Sequence, residues 1–569
     1  MIALNTITSK PADPTQTLWD VIIVGTGVGG GTLGYALAKA GKSVLFCERG
    51  SNNLARSGTL TANYAEQFGQ EPGAVLTTES ADLLANTGRF NEVVVDESGT
   101  HTRRFVPFVG SGSGGSSALY GMAFERFAES DFAPGISHPN NPESSLEAAW
   151  PVGYDAFSTY YSAAENLYRV HGTQDPLSAG AQRSRSLLQP PALTPAIAKL
   201  CDHFSAGGLH PYQLPLACDY VADCQCCQGF LCDKNCKNDS SRVCVQPAIQ
   251  NFGAVMLDNC RVVRIHADKA RVNRLACKWH GRDILLRGKQ IVLAAGALQT
   301  PNLLLRSVSI DWPNGVANSS GMVGRNLMRH CIDIYLIQTS RSDRGRSFDN
   351  RFKEFAFNDF YCVDGVKLGS VQSFGRLPPG QMLFGSLKQD IKDGPVPWMA
   401  GAFGLTIAVF QPFLQRMVDQ SIAIATTMED LPYLHNRVLP ALDDAPEAVR
   451  ISYNLHDSEK KRVALFRKMM ARTLKSLHWR LIKQAENNQR IAHVCGTCRF
   501  GQDPQTSVLD PNNRCHDLEN LYVVDSSFFP SSGGTNPGLT IAANALRVAD
   551  HMLSSYPALQ HTGPIRHEA

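Results

Sequence analysis

Two groups of residues in this 569-residue chain have the types and spacing to do chemistry. The first is Gly25, Gly27 and Gly30 in DVIIVGTGVGGGTLG, with Glu48 closing the next apolar run. The first glycine permits a tight turn, the second lets backbone N–H groups approach a pyrophosphate, and the third lets helix and strand pack closely. The N-terminus of the following helix stabilises phosphate charge. Glu48 is placed to accept hydrogen bonds from ribose hydroxyls, which indicates a dinucleotide and argues against NADP. Position alone does not separate FAD from NAD.

The second group is a run of seven cysteines between 218 and 244, CDYVADCQCCQGFLCDKNCKNDSSRVC, with Cys226, Cys227, Cys232 and Cys236 at its core. Disulfides fit an exported protein, but the adjacent pair Cys226 and Cys227 bonds awkwardly. Zinc prefers two C-x2-4-C pairs, which this spacing only approaches. An iron–sulfur cluster needs several thiolates converging from one loop, and the close spacing supplies them. The run departs from ferredoxin spacing, and Lys237 stands where a proline often follows. Cys218, Cys224 and Cys244 have no assigned role. The scattered cysteines elsewhere read as reduced thiols in apolar surroundings.

The elements that must position these groups are legible around the glycines. Val21 to Val24 reads as a buried parallel strand, Leu33, Leu37 and Ala38 line one helix face, and Val44 to Phe46 forms a second strand. The length suits two to four units at ~100–200 residues each. With 43% apolar and 18% charged residues, the chain reads as folded and not disordered. Lys+Arg of 54 against Asp+Glu of 51 leaves no electrostatic footprint for nucleic acid. The first twenty residues have no basic region followed by an apolar core, so the expected location is cytoplasmic. The longest uncharged run, 394–415, is interrupted by prolines and glycines and is expected to be part of a folded domain, not a transmembrane span. Docking of a partner or of a membrane surface is its alternative role.

Four further stretches carry a family resemblance: FVGSGSGGSSALYGMAFERF, IVLAAGALQTPNLLLRS, HVCGTCRFG and NLYVVDSSFFPSSGGTNPGLTIAANALRVADHM. With the amino-terminal fingerprint and WPVGYDAFSTYYSAAENLYRVHG, they resemble the glucose–methanol–choline (GMC) oxidoreductases, which are FAD enzymes. DWPNGVANSSGMVGRNLM and the cysteine core are similar to the catalytic subunit of bacterial FAD-dependent glucose dehydrogenase. That branch holds a [3Fe-4S] cluster, whose three thiolates would be Cys232, Cys236 and one of Cys226 or Cys227.

The resemblance implies an α/β fold: a Rossmann-like FAD domain (15–150, 245–332 and 490–556) interleaved with an α+β substrate domain of antiparallel sheet and helices (151–217 and 333–489). The cysteine loop, 218–244, bridges them. It implies oxidation of an alcohol carbon, a sugar hydroxyl being one form. His493 would take the hydroxyl proton and Asn536 would orient the hydroxyl, while hydride passes to flavin N5. An imidazole, with its pKa near ~6.5, suits a base working near neutrality.

Gly114, Gly115, Ser116 and Ser117 would lie against flavin and pyrophosphate. Val263 would pack near the adenine, Asp525 would meet the ribityl–pyrophosphate region, and Pro537 and Thr540 would flank the ring. Tyr120 stands where many members carry Asn. Electrons would leave to a cytochrome c subunit or a quinone. A small chaperone-like subunit bearing the signal would make the location periplasmic instead. The alternatives are an oxidase using oxygen, a zinc- or disulfide-stabilised lyase that keeps FAD without net redox chemistry, and a non-enzymatic zinc-stabilised binding module on a degenerate flavin fold.

Overall fold

A computed structural model describes residues 13–55, 63–65, 76–99, 101–139, 141–180, 184–222, 224, 227–338, 353–375, 391, 398, 420–442, 448–489 and 491–555. The 394–415 run and Cys226 lie outside the described residues, apart from Trp398 in the former.

The apolar run of the fingerprint forms the strand Leu18–Val24, whose Val21, Ile22 and Ile23 are fully buried. Burial on both faces is the pattern of a central parallel strand. It pairs in parallel with Val44–Cys47 on one side and with Arg282–Leu293 on the other. Val255–Leu257 extends the first edge. The twelve-residue strand Arg282–Leu293 serves two neighbours along its far edge: Val272–Trp279, antiparallel, at its start, and Leu521–Val523, parallel, at its end. Cys260–Ala267 closes the seven-stranded sheet. The helices Val28–Lys39 and Gly538–Ser555 cover one face through Leu33, Leu37, Ala545, Val548 and Ala549. Chain segments far apart in sequence thus build one Rossmann-like layer.

A second, six-stranded sheet is antiparallel throughout, in the order Trp479–Ile482, Cys331–Gln338, Ser421–Met428, Gly369–Ser373, Phe355–Phe357, Tyr212–Gln213. The helices Pro195–Ala206 and Asp457–Thr473 back it through Leu200, Phe204, Val463, Phe466 and Met470. Alternation along a strand sends Val371 into that helix-backed core and Ser370 and Gln372 to the opposite face. Interleaving goes further than motif order implies. Arg437–Leu439 and Val449–Ser452 form a separate sheet with Val94–Asp96 and Arg103–Phe105. Among the described residues no helix is long and apolar enough to cross a membrane.

Candidate active site

The glycine fingerprint builds a cradle whose walls are closed and whose floor is open. A Cβ on Gly25 would lie 2.4 Å from the Ala294 carbonyl oxygen, and one on Gly30 would lie 2.2 Å from that of Gly25. At Gly27 a Cβ would meet nothing within 4 Å. Gly27 is the N-cap of the helix Val28–Lys39, so its first backbone N–H groups point to this space. Gly115 closes the cradle from the opposite side; its Cβ position is 3.1 Å from the Gly27 Cα. An anion held by backbone N–H groups fits here, and the residues present therefore suit the pyrophosphate of a dinucleotide.

Glu48 binds the two walls together. Its carboxylate accepts from Thr26 N at 3.2 Å, Thr26 Oγ1 at 2.6 Å, Gly50 N at 3.0 Å and Gly112 N at 3.1 Å. Those four bonds match the acceptor capacity of an ionised carboxylate. Glu48 reaches the cradle as the sequence indicates, yet in this structure its acceptors are used by protein. Thr26 Oγ1 also accepts from Gly114 N at 3.1 Å, which sets the 112–114 turn against the fingerprint. Ser117 Oγ donates to Gly114 O at 2.6 Å, and Ser116 Oγ accepts from Gly110 N at 3.1 Å.

The remaining expected flavin contacts sort themselves. Val263 is the unpaired residue of a β-bulge between the Val262–Cys277 and Arg264–Ala276 pairs, half-buried. A bulge re-aims a side chain that regular pairing would fix. Asp525 is buried and caps the turn Ser526–Phe528, accepting from Ser527 N and Gly296 N at 2.9 Å each and from Thr300 Oγ1 at 2.5 Å. Pro537 is buried just before the last helix. Thr540 is committed to Tyr161, hydroxyl to hydroxyl at 2.8 Å. Tyr120 donates to the Asn238 carbonyl at 2.8 Å, which ties this loop to the end of the cysteine segment.

His493 and Asn536, far apart in sequence, meet: Asn536 Nδ2 lies 3.5 Å from His493 Nε2. The Asn536 Oδ1 atom is buried with no hydrogen-bond partner among the described residues. His493 is held at φ 55°, a left-handed conformation that costs a non-glycine residue ~1–3 kcal/mol and occurs at sites where the fold over-determines the backbone.

A third residue, His330, was not visible to sequence reasoning. Its Nε2 faces the Gly533 carbonyl at 2.9 Å and its Nδ1 faces His493 Nδ1, also at 2.9 Å. A carbonyl only accepts, so His330 carries its proton on Nε2. Its bare Nδ1 then accepts the proton of His493 Nδ1–H. His493 Nε2 is left with a free lone pair beside Asn536. Burial holds the His330 pKa down at about 4, so the ring that must stay neutral does so. Burial, with His330 and Lys353 nearby, also holds His493 well below the ordinary histidine value.

The loop carrying Asn536 is pinned on all sides. Gly534 N donates to Tyr361 Oη at 3.0 Å, and Ser370 N donates to Gly534 O at 2.9 Å. Thr535 Oγ1 donates to Glu125 Oε2 at 2.6 Å, and Gln372 Nε2 to Thr535 Oγ1 at 3.1 Å. Behind Tyr361 lies a buried charge group in which Lys367 Nζ bridges Asp131 at 2.5 Å and Glu429 at 2.9 Å. Breaking one member of such a group leaves an uncompensated buried charge.

Comparisons with known proteins place this site in a family. Two family models described as GMC oxidoreductase match residues 215–332 and 435–545. The chain belongs to the GMC oxidoreductase family. It is 28% identical to paromamine 6'-oxidase of Streptomyces fradiae, over 94% of this chain and 91% of that one. It is 24% identical to the fructose dehydrogenase large subunit of Gluconobacter japonicus, over 94% and 98%. The crystal structure of pyridoxine 4-oxidase from Mesorbium loti superposes with a TM-score of 0.60 at 18% identity, covering 95% of this chain and 100% of that one. As a GMC oxidoreductase the protein is a flavoprotein that acts on CH–OH groups. FAD is the dinucleotide that the cradle would hold.

One pH consequence follows. The base must be neutral to accept a proton, and burial lowers its pKa. The acid limb of kcat/KM is therefore expected below ~6.5, the value of an ordinary histidine. A profile of kcat/KM from pH 4 to 9 checks this; a limb at or above that value contradicts a buried base.

The cysteine segment lies directly behind the cradle. Of the expected ligands, Cys227 and Cys236 are buried and Cys232 half-buried, and no described cysteine is in a disulfide, including Cys495 and Cys498 beside His493. Cys218, Cys224 and Cys236 bring their sulfur atoms within 4.8 Å of one another, which the sequence spacing did not indicate.

Proposed function

We propose that this protein is an FAD-dependent dehydrogenase that oxidises an alcohol or sugar hydroxyl and passes electrons through an iron–sulfur centre to a cytochrome c or quinone acceptor. When bound, the flavin supplies a hydride acceptor. His493 Nε2 receives the hydroxyl proton, and Asn536 Nδ2–H donates to the same oxygen. The 3.5 Å gap between the two nitrogens is too long for a good hydrogen bond between them. It leaves both aimed at a common oxygen. His330 keeps the accepting nitrogen bare.

The observation that carries the electron-exit reading is the contact between cysteine loop and cradle. Ser240 Oγ donates to the Thr26 and Gly27 carbonyls at 2.9 and 3.0 Å. Gly229 N donates to Leu119 O at 2.7 Å, and Lys237 Nζ to Ala118 O at 2.8 Å. These contacts set the cysteine loop against residues that would hold FAD, and thiolates of the loop holding an iron–sulfur centre would supply one-electron chemistry there. The similarity to paromamine 6'-oxidase supports a second reading, in which oxygen is the acceptor.

Anaerobic reduction by an oxidisable alcohol, followed by mixing with air, cytochrome c or a quinone analogue, separates the two. The dehydrogenase reading expects reoxidation by cytochrome or quinone to outrun that by oxygen. Oxygen faster than both would establish the oxidase. In this proposal the acceptor subunit, with a signal-bearing chaperone-like subunit, sets whether the enzyme works in the cytoplasm or the periplasm.

A further inference from the structure

We propose that the metal centre of this loop is held by Cys218, Cys224 and Cys236, with Cys232 as the fourth position, and that Cys227 is a packing residue. The inference deepens the electron-exit reading by naming its ligands.

The backbone makes the convergence. Cys218 and Lys237 form an antiparallel bridge, and Asp219 N donates to Cys236 O at 2.9 Å. Side by side, these strands place the Cys218 and Cys236 side chains at one spot. A turn in which Cys224 N donates to Val221 O at 3.1 Å folds Cys224 back onto it. Cys224 Sγ is 3.1 Å and Cys232 Sγ 3.6 Å from Cys236 Sγ. Thiolates on one tetrahedral ion, each ~2.3 Å from it, stand ~3.8 Å apart. Separations of 3.1 and 3.6 Å fall inside that spacing, so the described sulfurs converge on one point.

Cys227 lies outside that trio, its thiol against Cys232. It packs with Tyr64 and Phe230 in one apolar cluster, while Cys218, Cys224 and Cys236 pack with Met122, Leu214 and Leu216 in another. Cys232 borders both.

The same loop holds a buried cation. Lys237, 1% exposed, is among the largest fully buried side chains. Its ammonium donates to the carbonyls of Ala118, Phe230 and Cys227. A buried ammonium needs opposite charge nearby as well as acceptors. Asp239 supplies one carboxylate, already accepting from Ser241 N at 2.8 Å and Arg242 N at 3.2 Å. The chemical class is a thiophilic metal, either iron with sulfide or zinc.

The test uses the full FAD-bound chain, prepared without oxygen, with iron, zinc and acid-labile sulfide measured alongside flavin. Cys218→Ser, Cys224→Ser and Cys236→Ser are each expected to lose at least two-thirds of the metal while flavin occupancy stays at the wild-type level. Cys227→Ser is expected to keep its metal. On wild-type protein, maleimide labelling before and after chelation reads the same set without any variant. Cys218, Cys224 and Cys236 should become labelled on chelation, and Cys227 should not change.

Retention of metal by the Cys218 and Cys224 variants, or its loss from Cys227→Ser, overturns the ligand set. Iron with sulfide and an electron paramagnetic resonance signal supports both readings. Zinc without sulfide, lost in the expected variants, supports the ligand set and removes the electron-exit reading. No metal in wild-type protein, even after supply of iron, sulfide and zinc, overturns both.

Discussion

Replacement of His493 by alanine lowers kcat by ~10²–10⁴-fold with FAD still bound, the range expected for loss of a positioned general base. The flavin stays because the groups forming the cradle belong to other segments of the chain. The sharper experiment changes His330, which touches His493 and not the cradle. Alanine at 330 removes the acceptor that fixes the His493 proton on Nδ1, so the wrong tautomer competes and a substantial share of the kcat effect reappears.

Glutamine at 330 offers a carbonyl oxygen to His493 and an N–H to the Gly533 carbonyl. It is expected to recover much of the activity lost in His330→Ala. Steady-state kinetics of both variants, with flavin absorbance as the folding control, decide it. Equal, small effects of alanine and glutamine, with an unmoved acid limb, would falsify the tautomer argument and leave His330 a packing residue.

The second large effect separates two glycines two positions apart in the same motif. Gly27→Val is expected to fold and to lose FAD. A Cβ there meets no protein atom, and φ of −60° is open to any residue, but the side chain fills the space meant for the pyrophosphate. Gly25→Ala is expected to fail earlier, in folding. Its φ of 100° costs an L residue ~1–3 kcal/mol, and its Cβ would lie 2.4 Å from the Ala294 carbonyl oxygen, backbone that cannot swing away. The measurements are flavin content per chain, circular dichroism and soluble yield. Gly27→Val should give native circular dichroism in a colourless protein, and Gly25→Ala a low soluble yield. Stoichiometric FAD in Gly27→Val would mean that the pyrophosphate does not lie against this turn.

These cases show where sequence reasoning reached and where it stopped. Gly25, Gly27, Gly30 and Glu48 are legible because a turn and the helix it starts are local: consecutive backbone units make the cradle. His493 and Asn536 are legible through the short motifs around them. The α/β fold follows from those motifs and is the one found, whereas the sheet that joins Val449–Ser452 to Val94–Asp96 was not legible. The contacts of Glu48 and Thr540 were not legible. Their side chains meet partners from Gly112 and Tyr161, and only folding decides whether a polar group faces a ligand or a neighbour.

The chain by itself determined which chemical groups are present and which local turns can hold an anion. Tertiary structure decided which nitrogen of His493 carries the proton, through a histidine 163 positions away. It also decided which cysteines converge, because an antiparallel bridge brings Cys218 beside Cys236 and leaves Cys227 among aromatic rings. The physical reason is shared. Protonation state and metal ligation depend on groups within ~3–4 Å in space, and spacing along a chain limits such distances only over a turn or two.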